Sequence, residues 1–210
     1  MTQIYNLRAF CARQQIPETH ATISVWRAIS NLIPGGAWLA GGAVTALLSN
    51  TENLNDYDVF FKDETSMMQL KNNFDNMEEI QLITTTDNSF LYQYSGNLIN
   101  VIRKRYYPDV DALLNDFDIT ACMFAIDTLP FNGMHLFCGD FSLLDLANKE
   151  IKVHNVESIG TTFKRIIKYG TKGFIIPLDT YEKLGEVFGG SSSKAKLFAG
   201  VKPKIQSGDS

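Results

Sequence analysis

The sequence is poor in cysteine, and its few cysteines are not spaced for cross-linking or metal binding. Cys11, Cys122 and Cys138 form an odd-numbered set without a Cys-x-x-Cys pair. Disulfide-stapled domains and zinc sites need cysteines at characteristic spacings, so neither class is indicated. We therefore expect a cytoplasmic protein with reduced thiols, in which Cys122 lies inside an apolar strand and belongs to the core rather than acting as a nucleophile.

Histidine and long apolar runs are also scarce. His20, His135 and His154 are far apart and lack ligand spacing, so each is interpreted as a surface or hydrogen-bonded histidine. No apolar run approaches the roughly 20 residues that a membrane-spanning helix needs. Residues 1–15 lack the basic-then-apolar pattern of a signal peptide. The sequence therefore predicts neither membrane insertion nor secretion.

A net charge of −4 conceals two parts of opposite sign. Residues 1–148 contain 8 basic and 17 acidic residues, whereas residues 149–210 contain 11 basic and 6 acidic ones. An acidic body can hold metal ions or simply favour solubility, and a basic end can meet phosphates or form a solvated surface. The two parts are expected to face different partners.

The chain is long enough for one good core and a small appendage, since 45% of its 210 residues are hydrophobic. We predict N-terminal helices over 1–34, a core domain over 35–154, a helical neck over 155–188 and a flexible tail over 189–210. Apolar residues at helical spacing, beginning with Ile4 and Leu7, indicate the first helices. The other predicted elements are strand 37–40, helix 43–49, strand 56–61, strands 89–95 and 97–105 joined at Gly96-Asn97, helix 109–115, strands 117–127 and 134–138, and helix 157–172.

A glycine pair and an acid pair share one short unit, residues 37–63. A helix that begins at Gly41-Gly42 presents unpaired N–H groups, and the missing side chains let a triphosphate approach the backbone. Residues two apart in a strand point to the same side, so Asp56 and Asp58 present both carboxylates on one face. Such a pair suits Mg²⁺ or Mn²⁺ completed by phosphate oxygens. The unit is typical of nucleotidyl transfer, although each half alone also occurs as an ordinary turn or strand end.

Four segments in order resemble the head domain of CCA-adding tRNA nucleotidyltransferases and bacterial poly(A) polymerases, within the polymerase-β-like superfamily. The family pattern Gly-Gly-x-Val-Arg-Asp-x-Leu-Leu and its later Asp-x-Asp are similar to residues 41–58. Arg-Arg-Asp-Phe-Thr-Ile-Asn-Ala-x-Ala-Tyr-Asp is similar to residues 116–127, and Gly-x-x-Asp-Leu-x-x-Lys-x-Ile to residues 142–151. The basic helix that follows, with its closing Gly-Phe, is similar to residues 163–174 with a one-residue gap. The resemblance thus covers about residues 37–174.

The resemblance implies an α/β (α+β) nucleotidyltransferase fold, with a mixed, mostly antiparallel sheet flanked by helices. It also implies Mg²⁺-dependent transfer of a nucleotide from an NTP to an acceptor hydroxyl, with RNA favoured over protein as the acceptor. Asp56 and Asp58 would be the catalytic metal ligands. The nucleotide-binding residues would be Gly41 and Gly42 at the triphosphate, Asp118 at the ribose, and Arg105, Lys164, Arg165 and Lys168 at phosphates. For Arg105 a solvated charge is the alternative.

The chain departs from the family pattern at charged positions. Thr45-Ala46 occupies the positions where the family has Arg-Asp, and Asp116-Phe117 occupies those where it has Arg-Arg. Asn100 occupies a strand position where relatives often carry an acid, so a third metal-facing carboxylate is Asp116, Asp118 or absent. The family's base-reading motif, Glu-Asp-x-x-Arg, corresponds to Glu-Ser-Ile-Gly-Thr at 157–161, in which only the glutamate is retained. Few residues follow position 174. For both reasons we do not expect a CCA-adding enzyme proper. These departures support an alternative function, a catalytically degenerate nucleotide-binding or interaction module.

The predicted neck helix carries a stripe of basic residues. Lys164, Lys168 and Lys172 recur at a spacing of four, opposite an apolar side formed by Phe163, Ile166, Ile167 and Gly170. The stripe is interpreted as an RNA contact or as a solvated face. Base stacking and ordinary packing on a sheet edge explain one aromatic set equally well, namely Tyr92, Tyr94, Tyr106 and Tyr107.

Overall fold

A computed structural model describes residues 2–51, 56–129 and 133–189. The strands are β1 (Gln3–Asn6), β2 (Ala37–Ala40), β3 (Tyr57–Phe61), β4 (Ile80–Thr85), β5 (Ser89–Tyr94), β6 (Asn97–Ile102), β7 (Phe124–Leu129) and β8 (Gly133–Cys138). The helices are α1 (Leu7–Arg13), α2 (Ala21–Ser30), α3 (Gly42–Leu48), α4 (Glu64–Asp75), α5 (Val110–Asn115), α6 (Ser142–Ala147), α7 (Ile159–Gly170) and α8 (Leu178–Gly189).

The strands form one sheet in the order β1-β8-β7-β2-β3-β6-β5-β4. Every neighbouring pair is antiparallel except β3 and β6, which run parallel. The predicted class, a mixed and mostly antiparallel sheet flanked by helices, is therefore confirmed. The parallel pair places Asp58 opposite Asn100 on neighbouring strands.

Strand β2 lies at the centre and is buried on both faces, which explains its uninterrupted apolar sequence. Leu39 belongs to the main core, which also contains buried residues of α1 to α4. Trp38 belongs to a smaller cluster on the opposite face, with Leu113 and Leu114 of α5. Asp58 points to the same face as this smaller cluster, because Tyr57 and Val59 lie in the main core.

Helices α7 and α8 are joined to the sheet domain by a third apolar cluster. Ile166 and Tyr169 of α7 and Leu184 of α8 pack with Ile119 and Ile151. The cluster holds α7 against the residues just before β7, and Arg165 of α7 forms an ion pair with Asp118 there.

Several predicted details are corrected. Ile4 lies in β1 rather than in a helix, because its backbone pairs with β8. Residues 120–122 form a short 3-10 turn, so Cys122 is not in a strand, although it is buried as expected. The turn between β5 and β6 centres on Ser95 and Gly96, which both adopt positive φ.

The inner side of α7 also differs from the prediction. Thr162, Ile166 and Tyr169 are its buried residues. Ile167 is 63% exposed, and Gly170 is exposed as well. The buried stripe is therefore turned by about one residue from the predicted one. Helices α4 and α6 and strand β4 were not predicted, while the predicted tail lies outside the described residues from position 190 onward.

Within the described residues, no helix is long and apolar enough to cross a membrane.

Candidate nucleotide-binding site

The acid pair lies at the start of β3. Asp58 is the second residue of the strand, and Asp56 immediately precedes it. Both side chains are partly buried. Burial first, and then the charge of Asp56, raise the pKa of Asp58 to about 6. The structure therefore brings the two predicted carboxylates together in a place that disfavours two negative charges.

Asn100 contacts this pair directly. Its Nδ2 donates a hydrogen bond to Oδ1 of Asp58 at 2.9 Å. This bond, together with the charges of Arg165 and Lys168, works against the rise in the pKa of Asp58. Two basic residues of α7 therefore lie within electrostatic reach of the acid pair.

Helix α3 begins at Gly42 with Gly41 as its N-cap, and the N–H of Gly41 donates to the carbonyl oxygen of Phe124 at 3.2 Å. Gly41 adopts φ 75° and ψ −136°, and a Cβ there would lie 3.3 Å from Cε1 of Phe117. At Gly42 a Cβ would meet nothing within 4 Å, so the space beside this residue is open. Gly41 is thus required by conformation and close packing, whereas Gly42 leaves room for another molecule.

Asp118 is buried and already engaged. Nη1 of Arg165 donates to its Oδ1 at 2.7 Å, and Oγ1 of Thr162 donates to its Oδ2 at 3.0 Å. Asp118 is only 5% exposed, whereas the Arg165 side chain is 44% exposed, so the pair joins a buried carboxylate of the core domain to the surface of α7. A ribose hydroxyl would have to share or replace these partners.

Arg105 bridges two other carboxylates. Its Nη1 donates to Oδ1 of Asp116 at 2.5 Å, and its Nη2 donates to Oε1 of Glu157 at 2.6 Å. The hydroxyl of Tyr107 donates to the second oxygen of Asp116 at 2.6 Å. Asp116 and Asp118 are therefore both held by other side chains.

A cavity of about 200 Å³ brings together the groups around Asp116 and Asp118, and we name it the front cavity. Arg105, Asp118, Glu157 and Arg165 all line it. Asp56, Asp58, the glycine pair, Lys164 and Lys168 are not among its lining residues. Lys164 is exposed on α7, and Lys168 is linked to the site only through its charge.

The donor set fits a divalent cation of the magnesium type. Mg²⁺ is usually held by one or two carboxylates, with water and substrate phosphates completing its shell. Asp56 and Asp58 supply two carboxylates, and their mutual repulsion is what a cation would relieve. Within the described residues, no cluster of three or more His, Cys, Asp or Glu side chains is suited to a metal.

Sequence reasoning missed several residues of the site. Thr162 and Tyr107 hold Asp118 and Asp116, and neither had been singled out for this role. Position 162 lies one helical turn before Arg165, so the spacing of three would have signalled that both reach the same carboxylate. The pairing of β3 with β6 had no sequence signal, and it is this pairing that places Asn100 against Asp58.

Comparison with known proteins gives two kinds of match. The model of the Gabija anti-defense 2 family matches residues 6–133. A Gabija anti-defense 2 protein of Bacillus phage SPbetaL7 is 29% identical over 91 residues, which are 43% of this chain and 22% of that protein. The matched region is thus a small part of the phage protein.

Solved structures of CCA-adding enzymes have the same fold. An apo form aligns with a TM-score of 0.68, at 17% identity over 90% of this chain and 47% of that chain. A complex with CTP aligns with a TM-score of 0.69 over the same shares, and a Thermotoga maritima enzyme complexed with tRNA-CCA aligns with a TM-score of 0.67 over 89% and 46%. The chain spans about half the length of these enzymes, and the nucleotidyltransferase fold is confirmed.

Proposed function

This chain belongs to the Gabija anti-defense 2 family, and from that premise we propose that it acts against the Gabija defence as a metal-dependent nucleotidyltransferase. It transfers a nucleotide from an NTP to an acceptor hydroxyl, and RNA is a better candidate than protein. We place this activity in the cytoplasm, where NTPs and RNA are both available.

The observation that carries the proposal is the set of charges around Asp58. A partly buried carboxylate lies beside a second carboxylate, and two cationic residues of α7 face it. Repelling acids favour a divalent cation, and nearby cations favour a polyphosphate. A metal-bound triphosphate provides both: the cation reduces the repulsion between the two carboxylates, and the phosphates interact with the basic residues of α7.

Each predicted site residue then has a role. Asp56 and Asp58 hold Mg²⁺ or Mn²⁺, which when bound polarises the phosphoryl oxygens and lowers the pKa of the attacking hydroxyl. The open space at Gly42 lets the triphosphate approach the backbone. Arg165 and Lys168 neutralise phosphate charge, with Lys164 further along α7.

The front cavity receives the sugar and base. Asp118 accepts a hydrogen bond from the ribose after Arg165 turns from this carboxylate toward the phosphates. Arg105 likewise exchanges Glu157 for a phosphate oxygen. Each of these arginines has to break an ion pair with a carboxylate before it can contact a phosphate. We therefore expect nucleotide binding to be coupled to a small movement of α7.

A second candidate function is that of a nucleotide-binding module without turnover. The hydrogen bond from Asn100 to Asp58 favours it, because an amide donor occupies one carboxylate oxygen where relatives of the CCA-adding type often carry an acid. Such a module would bind metal-NTP and still interfere with the defence through its complex. Nucleotide binding without product separates the two candidates.

The test is incorporation of label from each α-labelled NTP into total RNA, with Mg²⁺ or Mn²⁺. The wild type should label RNA, and Asp58→Asn should reduce labelling at least a hundredfold. Asp87→Asn is the matched control, because Asp87 is exposed in the turn between β4 and β5 and should leave labelling unchanged. Binding of metal-NTP without any labelled product would replace transfer with the module.

The link to defence needs a separate measurement. Co-expression with a Gabija defence system in a phage-challenged host should restore plaque formation for the wild type. Asp58→Asn should fail to do so if transfer is the means. Full restoration of plaque formation by Asp58→Asn would exclude transfer as the means.

A further inference from the structure

A second cavity lies away from the front cavity, between α1, α3, α6 and the end of α7. Its volume is about 500 Å³, within the range of ordinary small-molecule sites. We name it the rear cavity. None of its lining residues belongs to the front cavity, and Gly42 is the one predicted nucleotide-binding residue that it contains.

Apolar and aromatic side chains form much of its wall. Phe10, Tyr169 and Phe174 line it together with Leu143 and Leu146. Tyr169 and Phe174 pack edge to face at 5.2 Å, so this part of the wall is fixed by core packing. A wall of this kind accepts a flat, partly apolar body.

Two lysines line the same cavity. Among the described residues, neither Lys149 nor Lys172 forms a salt bridge with a carboxylate. Nζ of Lys172 lies 5.5 Å from the centre of the Tyr169 ring. Burial, and then the charge of Lys168, lower the pKa of Lys172, which is the response of a cation that lacks an anionic partner.

The cavity exists partly because two helix side chains are small. Thr45 and Ala46 of α3 line it, at the positions where the Gly-Gly-x-Val-Arg-Asp pattern carries arginine and aspartate. Oγ1 of Thr45 is turned inward, within hydrogen-bonding distance of the carbonyl oxygens of Gly41 and Ala121 at 3.2 and 3.1 Å, and its single proton serves one of them or is shared. No charge of α3 itself therefore competes for the two lysines.

We propose that the rear cavity binds a nucleoside monophosphate, with its base and sugar on the aromatic wall and its phosphate between Lys149 and Lys172. This site needs no divalent metal and no transfer reaction, so it goes beyond the proposed function. Because Gly42 also lies beside the path proposed for the triphosphate, the bound monophosphate is positioned to act as an effector of the transfer site.

The test is calorimetric titration of the full chain with AMP in the presence of EDTA. AMP should bind, while adenosine and inorganic phosphate should each bind at least tenfold more weakly, because each supplies half of the contacts. The double variant Lys149→Gln, Lys172→Gln should raise the Kd for AMP roughly tenfold or more, as expected when two charge-assisted hydrogen bonds are lost. Lys62→Gln, an exposed lysine at the end of β3, is the control and should leave the Kd unchanged.

A steric variant tests the location independently. Ala147 is exposed at the cavity and Ala147→Trp should block it, with an unchanged thermal midpoint as evidence of folding. Absence of AMP binding at millimolar concentration would overturn the proposal. Loss of binding in Asp118→Ala with full binding in the lysine variant would also overturn it, by assigning AMP to the front cavity. Asp58→Asn should still bind AMP, so failure of transfer and failure of the rear cavity are distinguishable.

Discussion

At the scale of single residues, Asp58 is a site where stability and function oppose each other. The sequence predicted its partner Asp56 from an alternation of two residues, which is a purely local signal. The sequence could not predict the free-energy cost of ionising Asp58, because this residue is buried by elements that are distant in the sequence. The pKa of Asp58, about 6, expresses that cost.

Asp58→Asn should therefore stabilise the metal-free protein while removing its response to Mg²⁺. The pKa of Asp58 lies above the unfolded value of 3.8, so native stability falls as pH rises from about 4 to 6, and the cost persists above that range. At pH 7.5 the variant should gain on the order of 1–3 kcal/mol, and near pH 4 it should gain nothing. Denaturant unfolding in EDTA at both pH values measures this; a loss of stability at pH 7.5 would contradict it.

Asp118 lends itself to a prediction about sugar selection. A carboxylate that accepts a bond from the 2′-hydroxyl is left without that partner when a deoxynucleotide binds. Asp118→Ala should erase most of the preference for ATP over dATP. Competition between the two nucleotides in a binding assay measures the ratio.

The buried Asp118 also holds Arg165, so the variant needs a control. Thr162→Val removes only the second hydrogen bond to this carboxylate and should keep the sugar preference. Equal binding of ATP and dATP by the wild type would remove the ribose role from Asp118.

At the scale of elements, the sequence was informative wherever the signal was local. The unit from β2 through α3 to β3 was predicted because an apolar run, a glycine break and an alternating strand follow one another within 25 residues. The order of strands in the sheet could not be predicted in this way. The parallel partners β3 and β6 are about 40 residues apart in the sequence, and no periodic pattern indicates that they pair. For that reason the sequence shows that Asn100 replaces an acid found in relatives, but it does not predict the hydrogen bond from Asn100 to Asp58.

Helix α7 allows a prediction about acceptor binding. Lys164 and Lys168 are exposed, and within the described part of the chain neither forms a salt bridge. If α7 follows an RNA strand, affinity falls with salt by a log–log slope of roughly −0.7 per phosphate contacted. Lys164→Ala with Lys168→Ala should flatten the slope by about one unit or slightly more.

A matched control removes two positive charges elsewhere. Arg13→Ala with Lys62→Ala leaves α7 intact and should leave the slope unchanged. Filter binding across a salt series gives both slopes. RNA affinity that is absent, or equal in the two double variants, would favour a protein acceptor.

At the scale of the whole molecule, the sheet domain and the neck share a core and should unfold together. The third apolar cluster contains Ile119 and Ile151 before the neck, and Ile166 and Leu184 within it. The predicted boundary at residue 154 thus separates two segments of sequence that are packed against each other. The division of the chain into these units stays a prediction.

Ile151→Ala should lower the free energy of unfolding by about 2–5 kcal/mol, because a fully buried side chain leaves a cavity. Trp26 and Trp38 lie in the two other clusters, so tryptophan fluorescence reports on the sheet domain. Fluorescence and far-ultraviolet circular dichroism should shift to the same new midpoint. A shift confined to circular dichroism would mean that the neck melts alone.

The pairing of β1 with β8 has a consequence for synthesis on the ribosome. Residues 3–6 are made early, but their partner strand is complete only at Cys138. At about 5–20 residues per second, the first strand remains unpaired for roughly 7–26 s until its neighbour has been synthesised. During that interval an unpaired strand can associate with other nascent chains. We therefore expect losses during expression to come from unfinished chains, and faster elongation to raise the yield of folded protein.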